Sequence, residues 1–429
     1  MHIQTSNGNN TMTTQTADST ASIQMSWRTF IDPWWKATLA ILPIFLLTRL
    51  IFLLLAYFGG VLFFVPNYWP GALTFRSVLY TWHHWDAVRF TTIATQGYPT
   101  PEYAAFFPLF PSLAHAFSVL FHRDILESTM FISNLAFLGT LIVLYRFVEV
   151  EFDPPTARRA ALYLSIFPTA LFFFAGYNES LFLFFLLLSF YAMRRAAWFL
   201  AGLFGGLALL SRSIGIFLAL IFFCEFLRQK WPQLRQDWQE RQLLRSLRLL
   251  PSLLCILLIP LGLAVFAAGL YVRFHDPLAF LHAQAGWRQG LSFPWVAPFI
   301  GIKSLFSIPL YTFANAHIII ELIAIGLFLA LLILALFGPE RFRRDQWPLL
   351  LYGLLALVYI TIFPGSPGNG GIPYDPMPSA QRLVLEIFPG FIVLARLGRR
   401  SWFHQGYLLL ALPMLAFLVL QFITGHWTI

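Results

Sequence analysis

Residues 104–121 read AAFFPLFPSLAHAFSVLF, and whether this apolar stretch crosses a membrane decides the threading of the whole chain. One additional crossing would invert every segment after it. The stretch carries Pro108 and Pro111, each lacking a backbone donor and disrupting a helix interior, and it holds His115 before ending at His122 and Arg123. It reads as a juxtamembrane or re-entrant helix. Working outward, eleven cleaner apolar runs fall at about 37–58, 127–147, 159–176, 179–193, 196–211, 213–227, 250–272, 314–337, 347–363, 383–397 and 405–423. With 104–121 uncrossed and the N-terminus inside, Arg158, Arg159, Arg194, Arg195, the six basic residues of 228–248 and Arg341, Arg343 and Arg344 all become cytoplasmic. That satisfies the positive-inside rule, and a crossing at 104–121 would violate it.

Composition agrees: 58% of the residues are hydrophobic and 11% charged, so this is a polytopic membrane protein. The formal charge of +9 is spread between apolar runs rather than gathered into a basic stripe, which argues against a nucleic-acid partner. Cys224 and Cys255 lie inside apolar runs and form neither a disulfide framework nor a zinc-ligand spacing. The chain divides into a polar cytoplasmic tail, 1–36, expected to be disordered, and a single transmembrane domain, 37–429. No cleaved signal peptide is expected. Three external segments follow on one face: 59–126, 273–313 and the Gly/Pro-rich 364–382.

Asp86 is the leading catalytic candidate, in the run His83, His84, Trp85, Asp86, Ala87, Val88, Arg89, Phe90. Two readings of it stand: a helix cap, and a general base facing a water-filled cavity. Trp85 adjoins it, and Arg89, one helical turn on, is placed to pair with it or steer it. Metal ligation by His83, His84 and Asp86 is disfavoured, because adjacent histidines diverge and the spacing offers no fourth ligand. Glu179 opens a span on the same face, directly after Tyr177 and Asn178. Arg212, between two short apolar segments, and Arg382, where the chain re-enters the membrane, are candidates for a phosphate, since a guanidinium offers a planar fork of donors. Arg49, inside the first span, calls for a carboxylate partner or a snorkelled position as much as for a function. His275, Asp276, Trp287 and Arg288 populate the second external segment, where they suit a sugar.

The run HHWDAVRFTTIATQGYPTPEYAAFFPLFP, His83 to Pro111, resembles the hallmark of the PIG-V-like mannosyltransferase family, comprising the second mannosyltransferase of glycosylphosphatidylinositol assembly and its prokaryotic relatives. YNESLF from Tyr177, SRSIG from Ser211, DPLAFLHAQAGW from Asp276 and QRLVLEIFP from Gln381 recur in the same order. His84 and Ile214 depart from the eukaryotic pattern and place the chain nearer the prokaryotic branch. The resemblance implies an all-α GT-C-type helical bundle, juxtamembrane helices in the first external loop, and a catalytic Asp86. It also implies a polyprenyl-phosphate sugar donor, with Trp85, Arg89, Glu102, Tyr177, Glu179, Arg212 and Arg382 expected to bind substrate. The reaction expected is inverting transfer of a sugar, with mannose the first expectation, to a lipid-linked or glycan acceptor. It would run on the external face of a bacterial plasma membrane, with the endoplasmic reticulum membrane as the alternative, and would need no cofactor and no metal. The competing readings are a GT-C enzyme using another sugar, and a lipid or sugar transporter or flippase, which repeated halves and midplane ionisable residues would favour.

Overall fold

The computed structural model describes residues 15–63, 74–366 and 375–426, and among these the regular elements are all helical. Helix α1, Gln15–Leu62, begins well inside the segment expected as a disordered tail. Its backbone runs without interruption into the first apolar span, and 1–14 lie outside the described residues.

The described residues of the segment expected to be external, 59–126, include three short α-helices, α2 (Phe75–Tyr80), α3 (Asp86–Gln96) and α4 (Leu109–Phe121). Pro101 starts a separate 3-10 turn that ends at Ala105, and α4 begins only after Pro108. Its 13 residues span about 20 Å at 1.5 Å each, short of a hydrocarbon core of roughly 30 Å. Phe90 of α3 meets Phe106 and Phe110 edge-on at 5.4 and 4.9 Å, so the apolar face of this stretch is used to pack α3 against α4.

Helix α5 (Ile125–Glu151) is started by the Asp124 carboxylate accepting from the Leu126 amide, and α6 (Pro154–Ser165) by Asp153 accepting from Thr156. Then come α7 (Glu179–Arg194), α8 (Trp198–Ser211), α9 (Phe217–Gln239), α10 (Leu258–Phe274), α11 (Val296–Leu305) and α12 (Phe313–Phe337). The chain closes with α13 (Trp347–Thr361), α14 (Phe388–Leu397) and α15 (Ser401–Ile423). Among the described residues, five helical stretches are long and apolar enough to cross a membrane: Asp32–Leu62, Ile125–Glu151, Leu244–Phe274, Phe313–Phe337 and Ser401–Ile423. The remaining expected spans are shorter or interrupted. The run 159–176 breaks after Ser165 ahead of Pro168, and 383–397 is helical without interruption only from Phe388, which precedes Pro389. Hydropathy counts residues and does not see these breaks.

Close packing depends on small residues where α8 meets the 244–274 stretch. A Cβ on Gly202 would lie 2.1 Å from the Cys255 carbonyl oxygen, and one on Gly206 would lie 2.6 Å from that of Leu258. This Gly-x-x-x-Gly spacing brings two backbones together where no side chain fits.

Ion pairs mark the two ends of the bundle. At one end Arg194, closing α7, donates to both Glu151 oxygens at 2.7 Å and to Asp345 at 2.8 Å, beside Glu225, which holds Arg228. At the other, the start of α7 and the end of α8 meet the start of α3. Arg49 belongs to neither end. Its guanidinium donates to Asn134 Oδ1 at 2.8 Å and is caged by the rings of Phe45, Phe52, Phe137 and Phe174, so aromatic faces stand where a carboxylate was expected.

The two ends should lie on opposite sides of the membrane. In a variant lacking Cys224 and Cys255, Ser112→Cys on the exposed face of α4 should react with an impermeant thiol reagent applied from outside. Gln236→Cys in α9 should react only after permeabilisation. Outside labelling of Gln236→Cys would reverse the threading.

Candidate active site

Asp86 is the first residue of α3, and the cap position belongs to Trp85, whose backbone sits at φ 49°, ψ −114° with no side-chain cap hydrogen bond. A bulky residue at positive φ costs of order 1–3 kcal/mol and persists only where the surroundings enforce it. Here they do: the Trp85 ring packs edge-on against Phe422 of α15 at 5.0 Å, and Trp82 next to it is fully buried against Phe174. The strained turn sends the Asp86 carboxylate away from its own helix. Arg382 Nη1 donates to Asp86 Oδ2 at 2.5 Å. The helix-cap reading therefore does not describe this residue.

Arg382 is the hub. Its Nε also donates to Glu179 Oε1 at 2.5 Å, and its guanidinium lies over the Tyr177 ring, 4.5 Å from the centroid. Tyr177, fully buried, donates its hydroxyl to the His84 carbonyl and so ties the start of α7 to the turn before Asp86. Arg212, just past α8, donates to Glu179 Oε1 at 2.5 Å and Asn178 Oδ1 at 2.9 Å, and its Nε lies 2.6 Å from Glu386 Oε1. Three carboxylates and two guanidinium groups thus interlock across the start of α3, α7, the α8–α9 junction and the 380–386 turn. The Asp86 side chain is 28% exposed, against 0% for Glu179 and 1% for Glu386. Of the three, Asp86 is the most exposed.

It faces a cavity of about 230 Å³ walled by Trp85, Phe106, Trp287 and Tyr359, with Arg212, Arg382 and Glu386 at its polar side. An apolar cavity of about 490 Å³, lined by Leu209, Ile216, Leu263, Phe280 and Phe363, adjoins it. Both share Phe107, Ser213, Gln284, Arg288 and Tyr359. Arg288 is held by its backbone, since the Gln289 amide donates to the Pro364 carbonyl at 2.7 Å and that of Ser366 to the Trp287 carbonyl at 2.9 Å. Its Nη1 is buried with no hydrogen-bond partner, and burial lowers the guanidinium pKa from its ordinary value without removing its charge.

The structure brings Trp85, Asp86, Arg212 and Arg382 to the cavity, with Tyr177 and Glu179 behind them. Arg89 and Glu102 stand apart from its lining. Arg89 does not pair with Asp86; its guanidinium lies over the Tyr103 ring at 4.8 Å. Glu102 is exposed on the 3-10 turn. Arg382, the residue expected at a phosphate, pairs with two carboxylates in this structure. Glu386 escaped the sequence reading because it hides in an apolar run, although a carboxylate there and Arg212 at similar depth each called for a partner.

Fold and cavity together define a helical membrane protein with a carboxylate and arginine site at one end of its bundle. The chain belongs to the mannosyltransferase (PIG-V) family, whose pattern matches residues 60–318. No curated protein matches the sequence significantly. Among solved structures, the chain is similar to ArnT from Cupriavidus metallidurans bound to undecaprenyl phosphate, at 16% identity and a TM-score of 0.46, covering 85% of this chain and 62% of that one. It is also similar to the Archaeoglobus fulgidus oligosaccharyltransferase tethered with an acceptor peptide, at 14% identity and a TM-score of 0.44, covering 89% of this chain and 55% of that one.

Removing a charge from the buried part of the network should cost stability, and removing it from the exposed part should not. Glu179→Gln leaves two buried guanidinium groups short of a counter-charge, so unfolding in detergent should show a loss of about 3–5 kcal/mol. Asp86→Asn keeps an oxygen acceptor for Arg382 at a partly exposed position and should shift the midpoint little. Equal destabilisation by the two would contradict this division.

Proposed function

We propose that this protein is an inverting GT-C-type glycosyltransferase that moves a sugar, mannose in the first instance, from a polyprenyl-phosphate donor to a lipid-linked or glycan acceptor at the external membrane face. The observation that carries the reading is Asp86, the most exposed carboxylate of the ion-pair network, at the wall of a small cavity that shares lining residues with an apolar one. A volume of about 230 Å³ is below the roughly 300–1,000 Å³ of pockets for drug-sized ligands, and suits one small polar unit. The adjoining apolar cavity suits the first isoprene units of a lipid tail.

Asp86 accepts the proton of the acceptor hydroxyl as that oxygen bonds to the anomeric carbon and the bond to the phosphate oxygen breaks. Glu386 also lines the cavity but is 1% exposed and paired with Arg212, so a double displacement through a second carboxylate nucleophile is disfavoured and inversion follows. Arg382 pairs with Glu179 and holds Asp86 in place, while Arg212 bridges Glu179 and Glu386. The phosphate contact falls to Arg288, whose buried donor is unengaged at the boundary between the two cavities, rather than to Arg382, whose Nε and Nη1 go to carboxylates. Arg288 would stabilise the charge that develops on the departing phosphate. The residues used here need no metal and no nucleotide.

Purified protein incubated with radiolabelled polyprenyl-phosphate mannose, glucose or arabinose and a membrane lipid extract should give a labelled product with the mannose donor. Transfer from another of these donors alone would keep the enzyme class and change the sugar, and no transfer from any would favour a transporter. Asp86→Asn should lower turnover about 100- to 10,000-fold with donor binding nearly intact; retention of more than half the wild-type rate would remove Asp86 as the base. Charge-assisted hydrogen bonds are worth about 1.5–3 kcal/mol, so Arg288→Met should lower kcat/KM for the donor by roughly 10- to 150-fold, with Arg288→Lys intermediate. Unchanged donor kinetics in Arg288→Met would reassign the phosphate.

A further inference from the structure

A second polar cluster lies on α12, apart from the cavity lining. His317 and Glu321, one turn apart, face Asp375, which precedes the turn leading to Arg382. One ligand atom from each of the three lies within 4.8 Å of the other two. His317 Nε2 is 3.3 Å from Asp375 Oδ2 and 3.4 Å from Glu321 Oε1. Glu321 is fully buried, and its Oε2 has no hydrogen-bond partner. We propose that His317, Glu321 and Asp375 form a binding site for a divalent cation of the zinc class, which fastens the third external segment to α12.

Three physical points support the assignment. The first is distance. Charge-assisted N–H···O bonds run at about 2.7–2.9 Å, and both contacts are longer. Ligands bonded to zinc at about 2.0–2.1 Å in a tetrahedron are separated by about 3.3–3.4 Å, which is what the imidazole nitrogen and each carboxylate oxygen show. The second is charge. Two carboxylates meeting in a buried place cannot both ionise without a counter-charge, and a protonated imidazole supplies only one. A divalent cation bound by neutral imidazole and two carboxylates makes the cluster neutral, and it uses the Glu321 group that is otherwise only partly satisfied. The third is access. Asp375 retains 21% side-chain exposure, enough for an ion to enter and for water to complete the coordination. The donor set of one imidazole and two carboxylates suits zinc and also manganese, and excludes a purely thiolate-seeking metal.

The site bears on the reaction through backbone. Glu321 Oε1 also accepts from the Ala380 amide at 3.2 Å, and Ser379 beside it stands at φ 64° before the turn that carries Arg382. A bound cation would therefore fix the stretch from Asp375 to Arg382 and, with it, the hub beside Asp86. The role is positional, so it differs from the metal by His83 and Asp86 that the sequence disfavours.

The test is direct binding to the full-length protein, purified without an affinity tag that binds metal, stripped with a chelator and dialysed. Equilibrium dialysis against Zn²⁺, with Mn²⁺ as comparator, should show one equivalent bound and a rise in the unfolding midpoint. Asp375→Asn, at the exposed edge, should lose both the stoichiometric uptake and the rise. His317→Gln should do the same if it folds. Failure of the wild-type protein to take up either ion would overturn the proposal, as would uptake unaltered in Asp375→Asn. Neither result depends on sugar transfer, so the site stands or falls separately from the proposed function.

Discussion

The contact on which the rest of the structure depends is the buried pairing of Arg382 with Glu179. It joins residues 203 positions apart, and neither side chain has meaningful access to water. A buried ion pair contributes little net stability against an apolar pair of the same shape, because both charges lose their hydration. What it does impose is geometry. A guanidinium offers donors in one plane, so once Glu179 has taken Nε, Nη1 can meet Asp86 from only one direction. Arg212 then shares the same Glu179 oxygen and reaches Glu386, which locks the junction after α8 to the turn before α14. Four chain segments that are distant in sequence acquire one relative placement.

That placement explains why the three carboxylates differ in exposure. Glu179 and Glu386 are enclosed by arginines and aromatic rings, whereas the strained turn at Trp85 leaves Asp86 at the cavity wall. The strain is borne by packing, chiefly Trp82 against Phe174 and Trp85 against Phe422 at the end of α15. Helix α15 thus shapes the turn that opens α3. Cross-pairing of 287–289 with 364–366 does the same for Arg288, holding it at the cavity's edge through backbone hydrogen bonds.

The opposite end of the bundle is organised by similar physics with a different outcome. Arg194 gathers Glu151 and Asp345, Arg228 holds Glu225, and Asp345, though 41% exposed, stays paired with both Arg194 and Arg343. There, burial penalises ionisation of Asp345, but Arg343 and Arg194 overcome it and hold the carboxyl down at about 2. That network fastens helix ends together. It is the combination of ion pairs with a strained turn and two adjoining cavities that marks the other end as the site.

The sequence by itself determined the class of molecule, because apolar runs and the sidedness of Lys and Arg are local quantities. It also singled out Trp85 and Asp86, and it named Glu179, Arg212 and Arg382 separately, since a charge at a membrane boundary needs a reason wherever it stands. Only the tertiary structure decided how they pair, because no spacing rule links positions 203 or 296 residues apart. Arg89 shows the limit: helical spacing put it within reach of Asp86, but the carboxylate turned to Arg382 and Arg89 to the Tyr103 ring. Arg49 found aromatic faces instead of an acid, Glu386 lay concealed in an apolar run, and Arg288 gained its unengaged donor only when two external segments met. Periodicity and charge order are written along the chain, whereas the partner of a buried charge is set by which distant segments the packed bundle brings within hydrogen-bond reach.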